Sequence, residues 1–342
     1  MIDIQLQPEN FKAVISIDGQ LFTEYRYGHY VCRPYFYPVL TPKGGGLTRA
    51  YPMEEVEGET QDHYHHRGIY TAHGLVNGEN LWDEGTGHGA MLQRGEPVVG
   101  VEDDAVHIDG IIDWFGPEGE RLLEERRTIS IRVEGDLRVL DQRSEFRCKY
   151  GDVNFGDTKE GGLFSIRVPT SMDAKDKGRI ENSAGNVYEN GEGEETTWGV
   201  QAAWVDYSGP LTNGEEWGHT VVDHQDNPRH PSYWHVRGYG LFTANAFGVQ
   251  VAGDMTNGYQ SGHTRDGSKV RWGWGSSAKV KQPQQATAAH YPVVVKRTCC
   301  GNFFGQLGVI AQLMRHRHPW CSLRRGRACP SRTCRSRCRR RA

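Results

Sequence analysis

Residues 128–150 read TISIRVEGDLRVLDQRSEFRCKY and show the pattern of a β-strand twice in succession. In the first half Ile129, Ile131 and Val133 alternate with polar residues, which is the period-2 pattern of a strand with one buried face. The turn residues Glu-Gly-Asp follow, and a second strand-like segment begins directly after them. Two such segments joined by a short polar turn predict neighbouring strands of an antiparallel sheet.

The same arrangement recurs along the first 265 residues. Strand-like segments at 13–17 and 20–27 flank Asp18-Gly19, a two-residue hairpin signal that requires positive φ angles. Further strand-like segments lie at 98–101, 105–112, 162–168, 198–207, 219–224, 240–246 and 248–253. The pattern predicts a mainly β protein, an antiparallel β-sandwich or supersandwich with long functional loops, of which residues 41–93 form the longest.

The composition changes near residue 266. Of 342 residues, positions 267–342 hold 17 Lys or Arg and no Asp or Glu, together with six of the eight cysteines. We therefore predict one β-sandwich domain over 1–266 and a disordered basic tail over 267–342. An altered reading frame in a GC-rich gene explains the tail's composition; the alternative is a basic arm that binds nucleic-acid phosphates. Nucleic acid is not an expected partner.

Apolar runs in the chain are short. None approaches the roughly 20 residues that cross a bilayer. The first 20 residues lack the basic start and apolar stretch of a secretory signal. Two cysteines in the main body, Cys32 and Cys148, suit a reducing compartment. We therefore expect a cytoplasmic protein with no membrane partner, and the sequence does not indicate its oligomeric state.

The densest group of chemically active side chains is DHYHHR at 62–67. In an extended chain His63 and His65 point to one side and His66 to the other. Imidazoles transfer protons near neutral pH, and a His-x-His pair also binds divalent metals. A polar loop that uses its imidazoles only for hydrogen bonds is the alternative. We take these three histidines as catalytic candidates. Nearby candidates for substrate binding are Arg67, His73 and Asn77.

A second group is DHQDNPRHPSYWHVR at 223–237. Aromatic faces stack on the C–H surfaces of sugars, while Arg and His bind hydroxyls or a carboxylate. The alternative is an aromatic corner that fills one end of the sandwich. The catalytic candidates here are His230 and His235. The binding candidates are His224, Arg229, Tyr233, Trp234 and Arg237.

A third group is GDTKEGG at 156–162, directly before a strand-like segment. Glu160 is a candidate general base, and Lys159 is placed to hold an anionic oxygen. Asp157 is a binding candidate, as are Arg33 and Tyr35 at the rim. An ordinary charged turn in solvent is the alternative.

Several motifs occur together in one order: RPYFYP at 33–38, then 48–53, 62–67, 72–77, 156–162 and 223–242. Over about residues 25–250 they resemble the bacterial family called methane oxygenase PmoA-like. Membrane subunits of true methane monooxygenase have spanning helices, so the resemblance implies instead a β-sandwich protein that works with carbohydrates. By analogy with mutarotase-like supersandwiches, it implies a histidine acid and a carboxylate base. The matching site candidates are His63, His65, His66, Glu160, His230 and His235.

These features predict a carbohydrate-active enzyme with histidine and carboxylate acid–base chemistry on a sugar or keto-sugar. Hydrolysis, β-elimination and epimerisation remain open, and the expected partner is a small carbohydrate. No cofactor is predicted; a divalent metal is a candidate, without assigned ligands. The alternatives are a non-catalytic carbohydrate-binding module and a metal-dependent enzyme that uses the same histidines.

Overall fold

The computed structural model describes residues 1–227, 229–248, 279–280 and 287–297. The first ten strands are β1 (Ile2–Gln7), β2 (Lys12–Ile17), β3 (Gln20–Arg26), β4 (Tyr35–Val39), β5 (Ile69–His73), β6 (Ala90–Gln93), β7 (Val98–Glu102), β8 (Ala105–Phe115), β9 (Arg121–Glu134) and β10 (Leu137–Arg147). Those that follow are β11 (Val153–Asn154), β12 (Gly161–Arg167), β13 (Arg179–Asn182), β14 (Val187–Glu189), β15 (Trp204–Pro210), β16 (Glu216–Val222), β17 (Tyr233–Val236), β18 (Leu241–Asn245), β19 (Lys279–Val280) and β20 (Thr287–Arg297). The helical segments are α1 (Glu194–Thr197) and two 3₁₀ turns, Pro8–Asn10 and Thr170–Met172.

Two large antiparallel sheets contain most of these strands. The smaller sheet has the order β1-β2-β3-β4-β5-β12-β18-β17. The larger sheet has the order β14-β13-β15-β16-β20-β10-β9-β8-β6, and β7 also pairs with β8. The prediction of a mainly antiparallel β-sandwich is confirmed.

Local turn chemistry explains the hairpins. Asp18 and Gly19 have φ angles of 52° and 75°, as a two-residue turn between β2 and β3 requires. The turn between β7 and β8 is built in the same way, with positive φ at Asp103 and Asp104. The strand pair predicted from residues 128–150 is β9 and β10, with Glu134 opposite Leu137.

The two sheets pack face to face around one apolar core. Gln142 on β10 donates a hydrogen bond of 3.0 Å to the Thr71 hydroxyl on β5, and the rings of Tyr207 (β15) and Phe242 (β18) lie 6.1 Å apart. Because side chains alternate along a strand, the neighbours Tyr70 and Thr243 point away from the larger sheet. We call this side, the face that carries Tyr70 and Thr243, the outer face of the smaller sheet.

The fold continues beyond residue 266, where the sequence analysis ended the β domain. Strand β20 lies inside the larger sheet, with β10 on one side and β16 on the other. The apolar run Tyr-Pro-Val-Val-Val at 291–295 supplies this strand, and the basic composition around it hid the signal. Most of the predicted tail, and most of the predicted strand at 248–253, lie outside the described residues.

Two further details of the described chain differ from or extend the sequence analysis. The predicted strand at 198–207 begins only at Trp204, because the residues before it follow the short helix α1. The predicted functional loop at 41–93 is interrupted by β5, which occupies a central position in the smaller sheet. Within the described residues, no helix is long and apolar enough to cross a membrane.

Candidate functional site

A row of polar side chains crosses the outer face of the smaller sheet. Tyr70 on β5 pairs with Ser165 on β12. Ser165 pairs in turn with Thr243 on β18, and Thr243 with His235 on β17. Directly paired residues on adjacent strands point to the same face, and the Ser165 and Thr243 hydroxyls are indeed 2.6 Å apart. The four neighbouring strands β5, β12, β18 and β17 therefore carry one continuous row of polar side chains.

The histidine segment at 62–67 folds over this row as a turn. His63 has a φ of 49°, and the backbone N–H of His66 donates to the His63 carbonyl at 2.9 Å. The turn stacks the His63 ring on the His66 ring, with centroids 4.9 Å apart and planes 8° apart. The expectation that His66 points away from His63 and His65 was wrong, because the positive φ ends the alternation of an extended chain.

Two buried arginines hold the Asp62 carboxylate. Arg167, at the end of β12, donates to Asp62 at 2.6 Å, and Arg49 donates to the same oxygen at 3.3 Å. Burial opposes ionisation of Asp62, but a hydrogen bond from His63 and the two guanidinium charges lower its pKa to about 2. Asp62 is therefore an anion at neutral pH.

Arg167 also determines the tautomer of His66. Its Nη1 donates to Nδ1 of His66 at 2.8 Å. Because a guanidinium can only donate, Nδ1 must accept, and the proton of a neutral His66 lies on Nε2. Burial, followed by the charge of Arg167, lowers the pKa of His66 well below its ordinary value. His66 therefore presents a neutral Nε2–H donor.

The imidazoles of His65 and His235 are also neutral at pH 7. Burial lowers the pKa of His65 to about 4, although the carboxylate of Asp83 lies 3.2 Å from its Nδ1. Burial and the charges of Arg237 and Lys159 lower the pKa of His235 to about 3, against an opposing effect of the Lys159 backbone. Both side chains can form hydrogen bonds at pH 7, but neither holds a proton to transfer as an imidazolium.

Aromatic rings enclose His235. Its ring stacks on Trp198 with centroids 5.7 Å apart, and Trp82 lies 6.4 Å away on a tilted plane. The Arg237 guanidinium lies 4.1 Å from the centre of the Trp198 ring and 5.2 Å from that of Tyr239. A small pocket opens beside His235, lined also by Lys159, Trp198, Tyr233 and Asn245.

Arg33 is buried next to the Tyr70 ring. Its side chain is fully buried, and Nη2 donates to the backbone carbonyls of Trp82 at 2.7 Å and Asp83 at 3.0 Å. The guanidinium also lies 5.5 Å from the centre of the Tyr70 ring. Arg33 was predicted to lie at the rim of the site, whereas the structure places it among the buried residues.

The carboxylate nearest to Arg33 is that of Glu84, which forms its hydrogen bonds with Arg67. Glu84 accepts three hydrogen bonds of 2.8–3.0 Å from Arg67, whereas it approaches Arg33 Nε only to 3.7 Å. The Arg67 guanidinium lies 5.8 Å from the centre of the Tyr35 ring. Arg67 and Tyr35 therefore support the segment that carries Glu84.

Lys159 and Glu160 reach the same region from the start of β12. They form an ion pair of 2.6 Å, and their side chains remain 23% and 34% exposed. Burial is the main reason that the pKa of Tyr239 rises to about 12, and the charge of Glu160 adds to the increase. Glu160 acts in the same direction on the pKa of the buried Tyr70 hydroxyl. The charge of a partly exposed carboxylate therefore acts on two buried hydroxyls of the site.

Several donors in the cluster make no hydrogen bond to any described residue. They are Nε and Nη1 of Arg33, Nε2 of His66, Oη of Tyr70 and Nε1 of Trp82. Buried polar atoms are normally satisfied, so a concentration of unpartnered atoms marks a place where a ligand or water completes the site. We define these four residues as the donor cluster.

Two candidates from the first histidine group lie elsewhere. His73 faces the sandwich core, where its Nε2 donates to the Gly156 carbonyl at 2.9 Å between the rings of Phe155 and Phe247. Asn77 closes a surface turn by accepting a hydrogen bond of 2.7 Å from the Asn154 backbone. Both side chains maintain the fold in this structure, and neither joins the donor cluster.

Three candidates of the second group, at 223–237, also make their hydrogen bonds outside the donor cluster. His230 donates to the buried Asp223 carboxylate at 2.8 Å and holds its own loop. Nδ1 of His224 accepts from the Asp226 backbone. Trp234 is 1% exposed, donates to the Ala202 carbonyl and packs in the sandwich core, and it also contributes to the lining of the pocket beside His235.

The remaining candidates of that group lie at the edge of the site. Burial lowers the pKa of Arg229, and the nearby Asp157 and Tyr233 oppose this effect. These three residues are therefore neighbours on the side of the pocket that Tyr233 lines. Within the group at 223–237, His235 lies beside Trp82 of the donor cluster, and Arg237 packs on the rings of Trp198 and Tyr239. The roles assigned to all candidates remain predictions.

Several residues of the site were not predicted from the sequence. They are Arg49, Tyr70, Arg167, Trp198 and Tyr239, and no roles were assigned to Asp62 and Trp82. An arginine at the end of the apolar segment 162–168 was the most useful overlooked signal, because a charged residue in a buried strand requires a partner. The other contacts join residues far apart in sequence and have no local signature.

Comparison with protein families gives one match. The model of a family of unknown function, DUF6807, matches residues 12–295. The chain belongs to this family. The resemblance to a methane oxygenase PmoA-like family was therefore wrong, because the motifs belong to DUF6807. A search of curated proteins finds no match to this DUF6807 chain.

Solved structures provide distant similarities. The GH36 alpha-galactosidase AgaB from Geobacillus stearothermophilus superposes with a TM-score of 0.43 at 12% identity, over 86% of this chain and 41% of that one. Two structures of variants of a glycoside hydrolase family 97 enzyme from Pseudoalteromonas sp. strain K8, one of them in complex with panose, give TM-scores of 0.32 at 9% identity. Each alignment covers 86% of this chain and 34% of the enzyme. The DUF6807 chain thus spans less than half the length of these proteins.

The described part of the DUF6807 chain contains no set of ligands for the candidate metal. No three His, Cys, Asp or Glu side chains group there as metal ligands. In particular, Asp62 is occupied by two arginines and Nδ1 of His66 by Arg167. The metal-dependent alternative therefore remains a prediction without assigned residues.

Proposed function

We propose that this protein acts on a carbohydrate bound at the outer face of the smaller sheet. The observation that carries the proposal is the donor cluster, four buried side chains that each have at least one N–H or O–H group without a partner among the described residues. Sugars offer a high density of oxygen acceptors, and a sugar that displaces the His63 ring gains the face of Tyr239 on which that ring stacks, with centroids 4.9 Å apart.

The exposed layer above the donor cluster gives a ligand its first contacts. His63 is 36% exposed and stacks on buried His66, so its ring lies between that donor and solvent. The ion pair of Lys159 and Glu160, whose side chains are 23% and 34% exposed, offers a second contact that a ligand can reach from solvent. A ligand that displaces the His63 ring can place one end against the buried donors and its other end beside Glu160.

Glu160 is the group that we assign as general base. It is a partly exposed carboxylate whose charge raises the pKa of the Tyr70 and Tyr239 hydroxyls, and its neighbour Lys159 is placed to stabilise a developing negative charge. His65 and His235 are neutral at pH 7, so in this proposal they orient the sugar through hydrogen bonds. Hydrolysis, β-elimination and epimerisation all require such a base.

The second candidate function is carbohydrate binding without catalysis. Burial holds the pKa of His65 near 4 and that of His235 near 3, which removes two acid–base groups at neutral pH. A site whose imidazoles serve only as hydrogen-bonding groups suits recognition as well as catalysis.

A matched pair of variants tests the proposal. Glu160→Gln removes the proposed base, and Glu145→Gln alters a similarly exposed carboxylate that pairs with Arg147 at 2.7 Å on the larger sheet. Binding to a panel of neutral and acidic sugars is measured by calorimetry, and turnover by product analysis. We expect Glu160→Gln to keep binding but lose turnover, and Glu145→Gln to keep both. Binding without turnover in the wild type supports the module, and no binding to any sugar contradicts both functions.

A further inference from the structure

We infer that the carbohydrate carries a carboxylate group and that Arg33 binds it. This inference rests on the proposed function and specifies its substrate class as a sugar acid. The inference follows from the charge of Arg33, the donor character of its neighbours in the donor cluster and the lack, among the described residues, of a carboxylate at hydrogen-bond distance from the Arg33 guanidinium.

Arg33 is a buried cation whose charge is incompletely compensated. Its side chain has no exposed surface, and Nη2 alone forms hydrogen bonds, both to backbone carbonyls. The closest carboxylate, Glu84, lies 3.7 Å from Nε and is engaged by the Arg67 guanidinium. A buried charge is costly unless it is paired and hydrogen-bonded, so an anionic ligand at Nη1 stabilises this arrangement.

The neighbours of Arg33 also donate. The indole Nε1 of Trp82 is only a donor, and the bond from Arg167 to Nδ1 leaves His66 with a donor at Nε2. Tyr70, whose ring lies under the Arg33 guanidinium, can donate as well. A sugar hydroxyl must donate as well as accept, whereas a carboxylate only accepts and takes about four hydrogen bonds. The four residues of the donor cluster therefore match a carboxylate, whereas neutral His235, which has one acceptor nitrogen, suits the hydroxyls of the same sugar.

The pairing of the buried arginines indicates where the negative charge of the ligand binds. Asp62 and Asp173 accept from Arg49 and Arg167, which leaves Arg33 as the buried arginine of the site without a carboxylate at hydrogen-bond distance among the described residues. A phosphate also presents only acceptors, but it brings nearly two negative charges. A sugar phosphate is therefore the competing ligand that the experiment must distinguish.

The test compares an acid with its neutral ester. Calorimetry on the full chain measures binding of D-glucuronate, its methyl ester, D-galacturonate and glucose 6-phosphate, each at low and moderate salt. We expect at least one uronate to bind about tenfold or more tightly than the ester, which is the effect of one charge-assisted hydrogen bond. Equal affinity for acid and ester, or tighter binding of the phosphate, overturns the inference.

Variants then assign the effect to Arg33. Arg33→Gln should abolish the preference for the acid, and Arg33→Lys should restore part of it. Arg26→Gln is the control, because Arg26 lies on the same face and is paired with Glu24 at 2.8 Å. If Arg33→Gln does not fold, the comparison of acid and ester on the wild type still decides the inference. Binding of neutral sugars alone overturns the inference and leaves the proposed function intact, whereas absence of all sugar binding defeats both.

Discussion

Nη1 of Arg167 donates to Nδ1 of His66 across 2.8 Å, although the two residues lie 101 positions apart in the sequence. The same guanidinium binds Asp62 through Nη2 at 2.6 Å. One arginine at the end of β12 therefore fixes the tautomer of an imidazole and the position of a carboxylate in the same turn. This contact connects the smaller sheet with the loop that covers it.

Replacement of Arg167 should destabilise the protein strongly. Arg167→Gln leaves Asp62 with the weaker contact to Arg49 and removes a buried charge-assisted bond. We expect a loss of about 3 kcal/mol in the free energy of unfolding, measured by urea denaturation. Arg132→Gln breaks a partly exposed pair with Glu134 and should cost less than about 1 kcal/mol. Similar losses for both variants would show that the Arg167 contacts contribute little.

Buried neutral histidines should make stability depend on pH. The folded pKa of His235 is about 3, below its ordinary value of 6.5, so the unfolded state binds the proton more tightly. The stability that neutral His235 contributes is therefore fully present above pH 6.5 and falls as the pH decreases toward 3. Between pH 8 and pH 5, this histidine should account for a loss of about 2 kcal/mol.

Substitution of His235 tests this dependence. Urea denaturation at pH 8 and pH 5 should show a smaller loss for His235→Gln than for the wild type, by about 2 kcal/mol. Thr243→Ser trims the neighbouring residue without changing a titrating group, and it should keep the wild-type dependence. An unchanged pH dependence in His235→Gln would contradict the assignment of a buried neutral imidazole.

The stack of Arg237 on Trp198 should contribute a measurable coupling energy. A double-mutant cycle with Trp198→Leu and Arg237→Gln should give about 1 kcal/mol in the free energy of unfolding, since the cation lies 4.1 Å from the ring centre. Arg121 and Phe115, 5.7 Å apart with a half-exposed arginine, provide the control cycle. We expect less than about 0.5 kcal/mol there. Equal coupling in the two cycles would argue against the Trp198 stack.

Truncation should locate the end of the folded domain. A chain ending at residue 266 lacks β20 and leaves the facing edges of β10 and β16 unpaired, so it should fail to fold. A chain ending at residue 300 retains every strand of the described fold. Circular dichroism and thermal melting compare the two proteins. A cooperative transition in the shorter chain would restore the boundary that composition suggested.

The fold was predictable where the signal is local. The alternation in residues 128–150 and the Asp18-Gly19 turn each specify a geometry within a few neighbours, and β9, β10 and the β2–β3 hairpin follow from them. Strand β20 was missed because charge composition was weighed above a five-residue apolar run.

The site was predictable only in part, for a physical reason. Side-chain type identified His63, His65, His66 and His235 as chemically capable, but their partners are set by strand register and by one positive φ. Nothing near His66 in the sequence indicates Arg167 on β12. Conversely, Trp234 and His73 carry the same chemistry but face the core, and alternation alone could not assign their side of the sheet.

A crystal structure of the protein with whichever of D-glucuronate and D-galacturonate binds more tightly tests the central claim most directly. The claim predicts electron density for the sugar on the outer face of the smaller sheet, with its carboxylate within hydrogen-bond distance of Arg33 and its ring near Glu160. Density for the sugar on another surface, or none at saturating concentration, would contradict it.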